Sequence, residues 1–192
     1  MRAEEIRAAL TGVPEHLWLT DAVARVRADP DAAGSLFARA GRKLGRQPVA
    51  DGWTAAEAGR VVLLLALDDP ERVARLYWQG DPAERLAVLR ALPLLDIGAA
   101  GVPLAEDALR TNDKRLVAAA LGPYAGHLDD ATWRQGVVKC VFMGIPLAVV
   151  DRLEERADDT LTGMLTALAV EREAAGRAMP EDAEALVTNK EQ

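Results

Sequence analysis

Three aspartate–proline pairs, Asp29-Pro30, Asp69-Pro70 and Asp81-Pro82, constrain this chain more than any other feature. An aspartate side chain accepts from the free N–H groups that open an α-helix. A proline at the first helical position gives up an N–H that had no partner there. Each pair therefore marks a helix start. Glu84 stands three residues after Asp81 and Glu57 three after Thr54, so both of these starts carry the reciprocal capping-box arrangement. Further starts fall near Asp130 and near Asp159, where apolar-periodic stretches open. Gly45, Gly80, Pro93, Gly122-Pro123, Gly144 and Pro180 supply the stops.

This spacing predicts helices of roughly 10 to 20 residues joined by short loops, and short loops favour antiparallel neighbours. No stretch alternates with the period of a strand. Apolar residues make up 50% of the chain but aromatics only 4%, and a mixture dominated by alanine and leucine favours helices over sheets. The expected fold is all-α. Asp-Pro-Glu-Arg-Val-Ala-Arg-Leu at 69 to 76 is echoed by Asp-Pro-Ala-Glu-Arg-Leu-Ala-Val-Leu at 81 to 89. Successive antiparallel helical hairpins of that kind would build a compact α-solenoid array of the HEAT or armadillo sort. The length suits one domain, so residues 1–187 are read as a single helical domain and the polar segment 188–192 as a flexible tail.

Charge and cysteine usage exclude several classes of function. The formal charge is -7 with both signs interleaved, which offers no basic face to nucleic acid or to an anionic membrane surface. Cys140 is the only cysteine, so no intrachain disulfide can form. The opening residues Met1-Arg2-Ala3-Glu4-Glu5 lack the apolar stretch of a signal peptide, and the expected location is the cytoplasm. The longest wholly apolar run, Val61 to Leu67, falls short of the roughly 18 residues that suggest a membrane span, and reads as a helix buried on most sides. With only His16, His127 and Cys140 to draw on, no zinc-type cluster assembles, and neither metal nor cofactor is expected.

Polar residues on otherwise apolar helix faces are the more informative signal. In the helix from about Asp159 to Arg177 the stripe runs Leu161, Met164, Leu165, Leu168 and Ala175, with Glu171 and Arg172 on its continuation. In the helix from about Asp130 to Met143, Val137, Val138, Cys140, Val141 and Phe142 surround Lys139, with Gln135 one turn earlier. A buried lysine needs a carboxylate or an anion, and Glu171 is the candidate by pattern. Three readings stay open. Lys139, Glu171 and Arg172 could form an ion-pair network tying two late helices together. With Arg110, Asn112 and Arg177 they could instead frame a pocket for an anionic or polyhydroxylated small molecule, arginine offering paired donors to carboxylate or phosphate. In a catalytic reading Lys139 is an amine nucleophile and Glu171 an acid or base. Cys140, inside an apolar run, reads as core filler. His127 reads as a surface contact or cap. Trp53 and Tyr77-Trp78 read as core or interface aromatics.

Arg110-Thr111-Asn112, Pro123-Tyr124, Trp133-x-Gln135-x-x-x-Lys139-x-x-Phe142 and Glu171-Arg172-x-Ala174-Ala175-Gly176-Arg177 occur in that order. Together with Val62 to Leu67 and Leu-Pro-Leu-Leu at 92 to 95, this pattern resembles the EboA domain family over roughly residues 55–180. Gly122 stands where the resemblance leads one to expect asparagine before Pro123-Tyr124, and Arg134 where it leads one to expect asparagine between Trp133 and Gln135. Residues 1–50, broken by Gly34, Gly41 and Gly45, match nothing in that pattern and are read as divergent amino-terminal helices.

The resemblance implies a bacterial helical protein encoded beside a prenyltransferase-like membrane protein, a TatD-like metal hydrolase and sugar-phosphate-isomerase-like proteins. Such clusters handle or export small-molecule precursors, as in the making of scytonemin. The expected function is a non-enzymatic helical adaptor or small-molecule-binding protein in secondary-metabolite biosynthesis or precursor transport. Its expected partners are an anionic or polyhydroxylated small molecule and proteins encoded in the same cluster. The candidate ligand-binding residues are Arg110, Asn112, Tyr124, Gln135, Lys139, Glu171, Arg172 and Arg177, with no catalytic or metal-binding residue assigned. The alternatives are an enzyme acting on a phosphorylated or carboxylated metabolite through Lys139 and Glu171, and an oligomerisation module using Val61 to Leu67 as its contact face.

Overall fold

A computed structural model describes residues 1–188 of the chain. The polar tail expected at 188–192 lies outside the described residues except for Thr188. All-α is what the chain adopts, in two compact units, Met1–Leu104 and Ala105 onward.

The first unit holds α1 (Ala3–Leu10), α2 (His16–Ala28), α3 (Ala33–Leu44), α4 (Ala55–Leu67), α5 (Pro70–Gln79) and α6 (Pro82–Ala91). Its caps are those the aspartates predicted. Asp69 accepts from the Arg72 N–H at 3.0 Å, and Asp81 from the Glu84 N–H at 2.8 Å. Asp29-Pro30 opens a 3-10 turn, Pro30–Ala32, that runs on into α3. Both capping boxes are present, at Thr54 with Glu57 and at Asp81 with Glu84. Gly45 ends α3 at φ +70°, a conformation that a side chain would strain.

Helix α4 is the centre of this unit and packs against α1, α2, α3 and α6. Val61, Val62, Leu63, Leu64 and Leu67 are all buried, so the apolar run faces the core of its own unit. Gly59 allows the closest approach, because a Cβ there would stand 2.0 Å from Leu44 Cδ1. Arg60, just ahead of the run, is buried too. Its Nε donates to the Phe37 carbonyl at 3.2 Å, its Nη2 lies 3.4 Å from Glu84, and Gly41 leaves room for the guanidinium.

One element departs from expectation. Pro48–Ala50 (β1) and Trp53–Thr54 (β2) form a small antiparallel hairpin, with Pro48 opposite Thr54 and Ala50 opposite Trp53. Strands this short show no alternation to read. Arg90 braces the turn, donating to the Gly52 carbonyl at 2.7 Å while its guanidinium lies 4.2 Å from the centre of the Trp53 ring.

The second unit begins within α7 (Val102–Arg110) and continues through α8 (Lys114–Ala120), α9 (Asp130–Met143), the single turn α10 (Leu153–Arg156), α11 (Asp159–Ala174) and α12 (Glu181–Thr188). Asp129 and Asp158 cap α9 and α11, each one residue ahead of the aspartate marked in the sequence. The buried core of α9 is Trp133, Gly136, Val137, Cys140 and Val141. No helix of the described residues is long and apolar enough to cross a membrane.

Candidate functional site

Two helix faces of the second unit converge on a cavity of about 370 Å³. Helix α7 contributes Glu106, Leu109 and Arg110, and α9 contributes Thr132, Gln135, Gly136 and Lys139. These are i, i+3, i+4 and i, i+3, i+4, i+7 spacings, which place each set on one side of its helix. The first turn of α9 is held by Asp129, which accepts from the Thr132 N–H at 2.8 Å and from its hydroxyl at 3.0 Å. Those bonds, led by the Thr132 N–H, hold the Asp129 carboxyl below its usual range. With its proton committed, the Thr132 oxygen remains an acceptor. Gly136 lets α9 come close to its neighbours, since a Cβ there would meet Leu121 Cδ2 at 2.9 Å and Leu109 Cδ2 at 3.2 Å.

Lys139 is not where the pattern argument put it. The residue is half-buried, and Phe142, one of its supposed apolar neighbours, is 67% exposed. Its ammonium donates to the carbonyl of Leu109 at 2.6 Å. That carbonyl is among the last four of α7, which have no partner inside the helix, and a cation there also meets the negative end of the helix dipole. Lys139 thus caps α7 from α9. It makes no ion pair with Glu171. The apolar stripe of α11 ends at Leu168, beyond which Glu171 is exposed.

The motif Glu171-Arg172-x-Ala174-Ala175-Gly176-Arg177 is a helix stop. Gly176 takes φ +67°, its N–H donates to the Glu173 carbonyl at 2.9 Å, and the Arg177 N–H donates to the Arg172 carbonyl at 2.8 Å. This pair of bonds closes a Schellman motif. Arg172 then locks the outgoing chain, donating to the Ala178 carbonyl from Nε at 3.0 Å and from Nη2 at 2.8 Å. Arg177 is exposed. None of these residues lines the cavity, and neither do Asn112, exposed between α7 and α8, or Tyr124, buried with its ring 4.7 Å from that of His127.

The structure therefore brings Arg110, Gln135 and Lys139 together and leaves Asn112, Tyr124, Glu171, Arg172 and Arg177 elsewhere. It adds Glu106 and Thr132, which the sequence reading passed over. Their spacing was the available signal, since Glu106 precedes Arg110 by four residues and Thr132 precedes Lys139 by seven.

Behind the cavity, α9 is anchored by two arginines. Arg156 donates to the carbonyls of Ala125 at 2.8 Å and Leu128 at 3.1 Å, pairs with Asp130 at 2.8 Å, and lies 4.6 Å from the centre of the Trp133 ring. Trp133 is fully buried and its indole N–H has no hydrogen-bond partner among the described residues. Arg134 grips Asp158 through Nε at 3.0 Å to both carboxylate oxygens and through Nη2. The arginine that departs from the expected Trp-Asn-Gln thus joins α9 to the cap of α11 and does not line the cavity. Cys140 is inert, its thiol pushed up to about 11 by burial, with a smaller contribution from Asp182. No group of three or more His, Cys, Asp or Glu among the described residues could hold a metal ion.

The cavity offers two cationic side chains, one carboxylate, an amide and a hydroxyl oxygen, with Leu109 as apolar wall. Such a mixture can hold a small polar molecule by ion pairing and hydrogen bonds. Residues 37–188 match the model of a family described as Metabolite traffic protein EboA. No curated protein and no solved structure matches the chain.

Proposed function

We propose, because this chain belongs to the EboA family, that it is a non-enzymatic protein that binds a small anionic or polyhydroxylated metabolite between α7 and α9. The observation that supports this most is the convergence of Arg110, Lys139, Gln135, Thr132 and Glu106 on one cavity of about 370 Å³. That size lies in the lower part of the range of about 300–1,000 Å³ usual for small-molecule sites. Arg110, exposed at the rim, is the anion's first contact, and Gln135 and Thr132 read its hydroxyl or carbonyl groups. Lys139 has one proton on Leu109 and two further ammonium protons for the ligand.

That bond also argues against the catalytic alternative, because an ammonium engaged as a donor at a helix end is not a free amine nucleophile. Glu171, its supposed acid or base, is exposed on α11 and outside the cavity lining. Within this proposal the protein serves a bacterial secondary-metabolite or precursor-transport system in the cytoplasm, alongside proteins encoded in the same cluster. Helical hairpins stacked as a compact solenoid would present the site to those proteins.

Calorimetric titration with inorganic phosphate, citrate and gluconate tests the reading. Saturable binding of at least one anion, weakened tenfold or more in Arg110→Gln, is expected. Binding that is undiminished in that variant, or absent for all three compounds, counts against it.

A further inference from the structure

The first unit carries a second cavity, of about 350 Å³, between α1 and α2 over the face of α4. Its walls are the aliphatic side chains of Leu10, Leu19, Val23 and Val62, with Ala24 at the edge. Arg7 in the last turn of α1 and Arg27 in the last turn of α2 stand on its rim with His16. No acidic residue lines it, in a chain whose 30 acidic residues outnumber 23 basic ones. Neither Arg7 nor Arg27 has an ion-pair partner among the described residues. The two threonine hydroxyls on the lining are already committed, Thr11 to the Ala8 carbonyl at 2.8 Å and Thr20 to the His16 carbonyl at 3.0 Å, and His16 Nδ1 lies 3.1 Å from the Val13 carbonyl, so the permanently charged donors left over are the two guanidiniums. An apolar floor beneath unpaired cations is the complement of an apolar body with one anionic end.

We propose that this groove is a second ligand site, for a small amphipathic anion whose carboxylate or phosphate meets Arg7 and Arg27 while its hydrocarbon lies against Leu10, Leu19, Val23 and Val62. The site is independent of the cavity between α7 and α9. Apart from Val62, its lining precedes residue 37, where the family match begins.

Decanoate, with decanol as the neutral match and acetate as the head group alone, probes the site by calorimetry on the full chain. Decanoate is expected to bind saturably, at least tenfold tighter than decanol, with acetate silent. Arg27→Gln weakens decanoate at least fivefold, whereas Arg39→Gln, which removes the same charge from the exposed face of α3, leaves the affinity unchanged. Ala24→Trp, at an exposed position where a larger side chain does not disturb the core, blocks the groove and abolishes binding. Equal affinity for decanoate and decanol overturns the proposal. So does an equal loss in Arg27→Gln and Arg39→Gln, or full decanoate binding by Ala24→Trp.

Discussion

Replacing Lys139 with methionine separates the capping role of this side chain from the ion-pair role its position suggested. Methionine keeps an unbranched stem of similar length and removes only the ammonium, so the packing of the stem along α9 is largely retained. What is lost is one charge-assisted hydrogen bond, 2.6 Å long, to the Leu109 carbonyl at the end of α7. Hydrogen bonds to charged groups contribute about 1.5–3 kcal/mol net when buried, and the charge–dipole share of that is about 0.3–1 kcal/mol. Because Lys139 is only half-buried, water can reach part of the site, and the loss falls to about 1–2 kcal/mol. For a chain of this size that corresponds to a fall in Tm of about 2–8 °C. Urea titration followed by circular dichroism measures it. Glu171→Gln, on the exposed end of α11, should stay within about 0.5 kcal/mol of the parent. A Lys139→Met loss above about 4 kcal/mol, the size expected when a buried ion pair is broken, would refute the reasoning, as would equal losses in the two variants.

Gly59→Ala should cost about 1–3 kcal/mol in urea titration, because the new methyl group would stand 2.0 Å from Leu44 Cδ1. Gly163→Ala, on an exposed position of α11 with nothing within 4 Å, should add about 0.5–1 kcal/mol through helix propensity. Cys140 should resist alkylation by iodoacetamide at pH 8 in the native protein and react fully in urea, since a thiol pushed up to about 11 is ionised in about one molecule per thousand at that pH. Rapid native labelling would contradict its burial. The helix caps predict a pH dependence. Asp69, held low chiefly by the Arg72 N–H, Asp113 by the Arg115 guanidinium and Asp129 by the Thr132 N–H, all have carboxyls below the usual range in the folded chain. Their stabilisation is therefore complete above the unfolded value of about 3.9 and is lost as pH falls through the lower folded values. The urea midpoint should hold above about pH 4 and drop as pH falls below it, and Asp129→Asn, which keeps a capping oxygen without the titration, should flatten that drop.

Local chemistry explains how much of the fold was legible beforehand. A cap is a contact between residues two or three apart, so Asp69, Asp81 and Thr54 announce their helices without help from the rest of the chain. The run from Val61 to Leu67 read as a helix buried on most sides, and Val61, Val62, Leu63, Leu64 and Leu67 are buried within α4. The strands at Pro48–Ala50 and Trp53–Thr54 left no trace because two or three residues cannot show a period. Arg60 sits next to the apolar run and is buried only because Phe37 offers a carbonyl and Gly41 offers space, both supplied by α3 some 20 residues away in sequence.

The site was half legible for the same reason. Lys139 was recognisable as a cation needing a partner, but a partner that is a backbone carbonyl 30 residues earlier has no residue identity to read. Pattern pointed to Glu171 because only side chains can be matched by pattern. The Ala174-Ala175-Gly176-Arg177 segment was visible as a motif, and its meaning, a glycine at positive φ ending α11, lies in the backbone.

The central claim is that the facing sides of α7 and α9 form the metabolite site. Backbone amide shifts of the ¹⁵N-labelled chain, followed while the tightest-binding of phosphate, citrate and gluconate is titrated in, test it most directly. The account predicts that amides of residues 106–110 and 132–139 move saturably with a common dissociation constant and that those of residues 171–177 stay still. Saturable shifts confined to 171–177, or to any surface that excludes Arg110, Gln135 and Lys139, would contradict it.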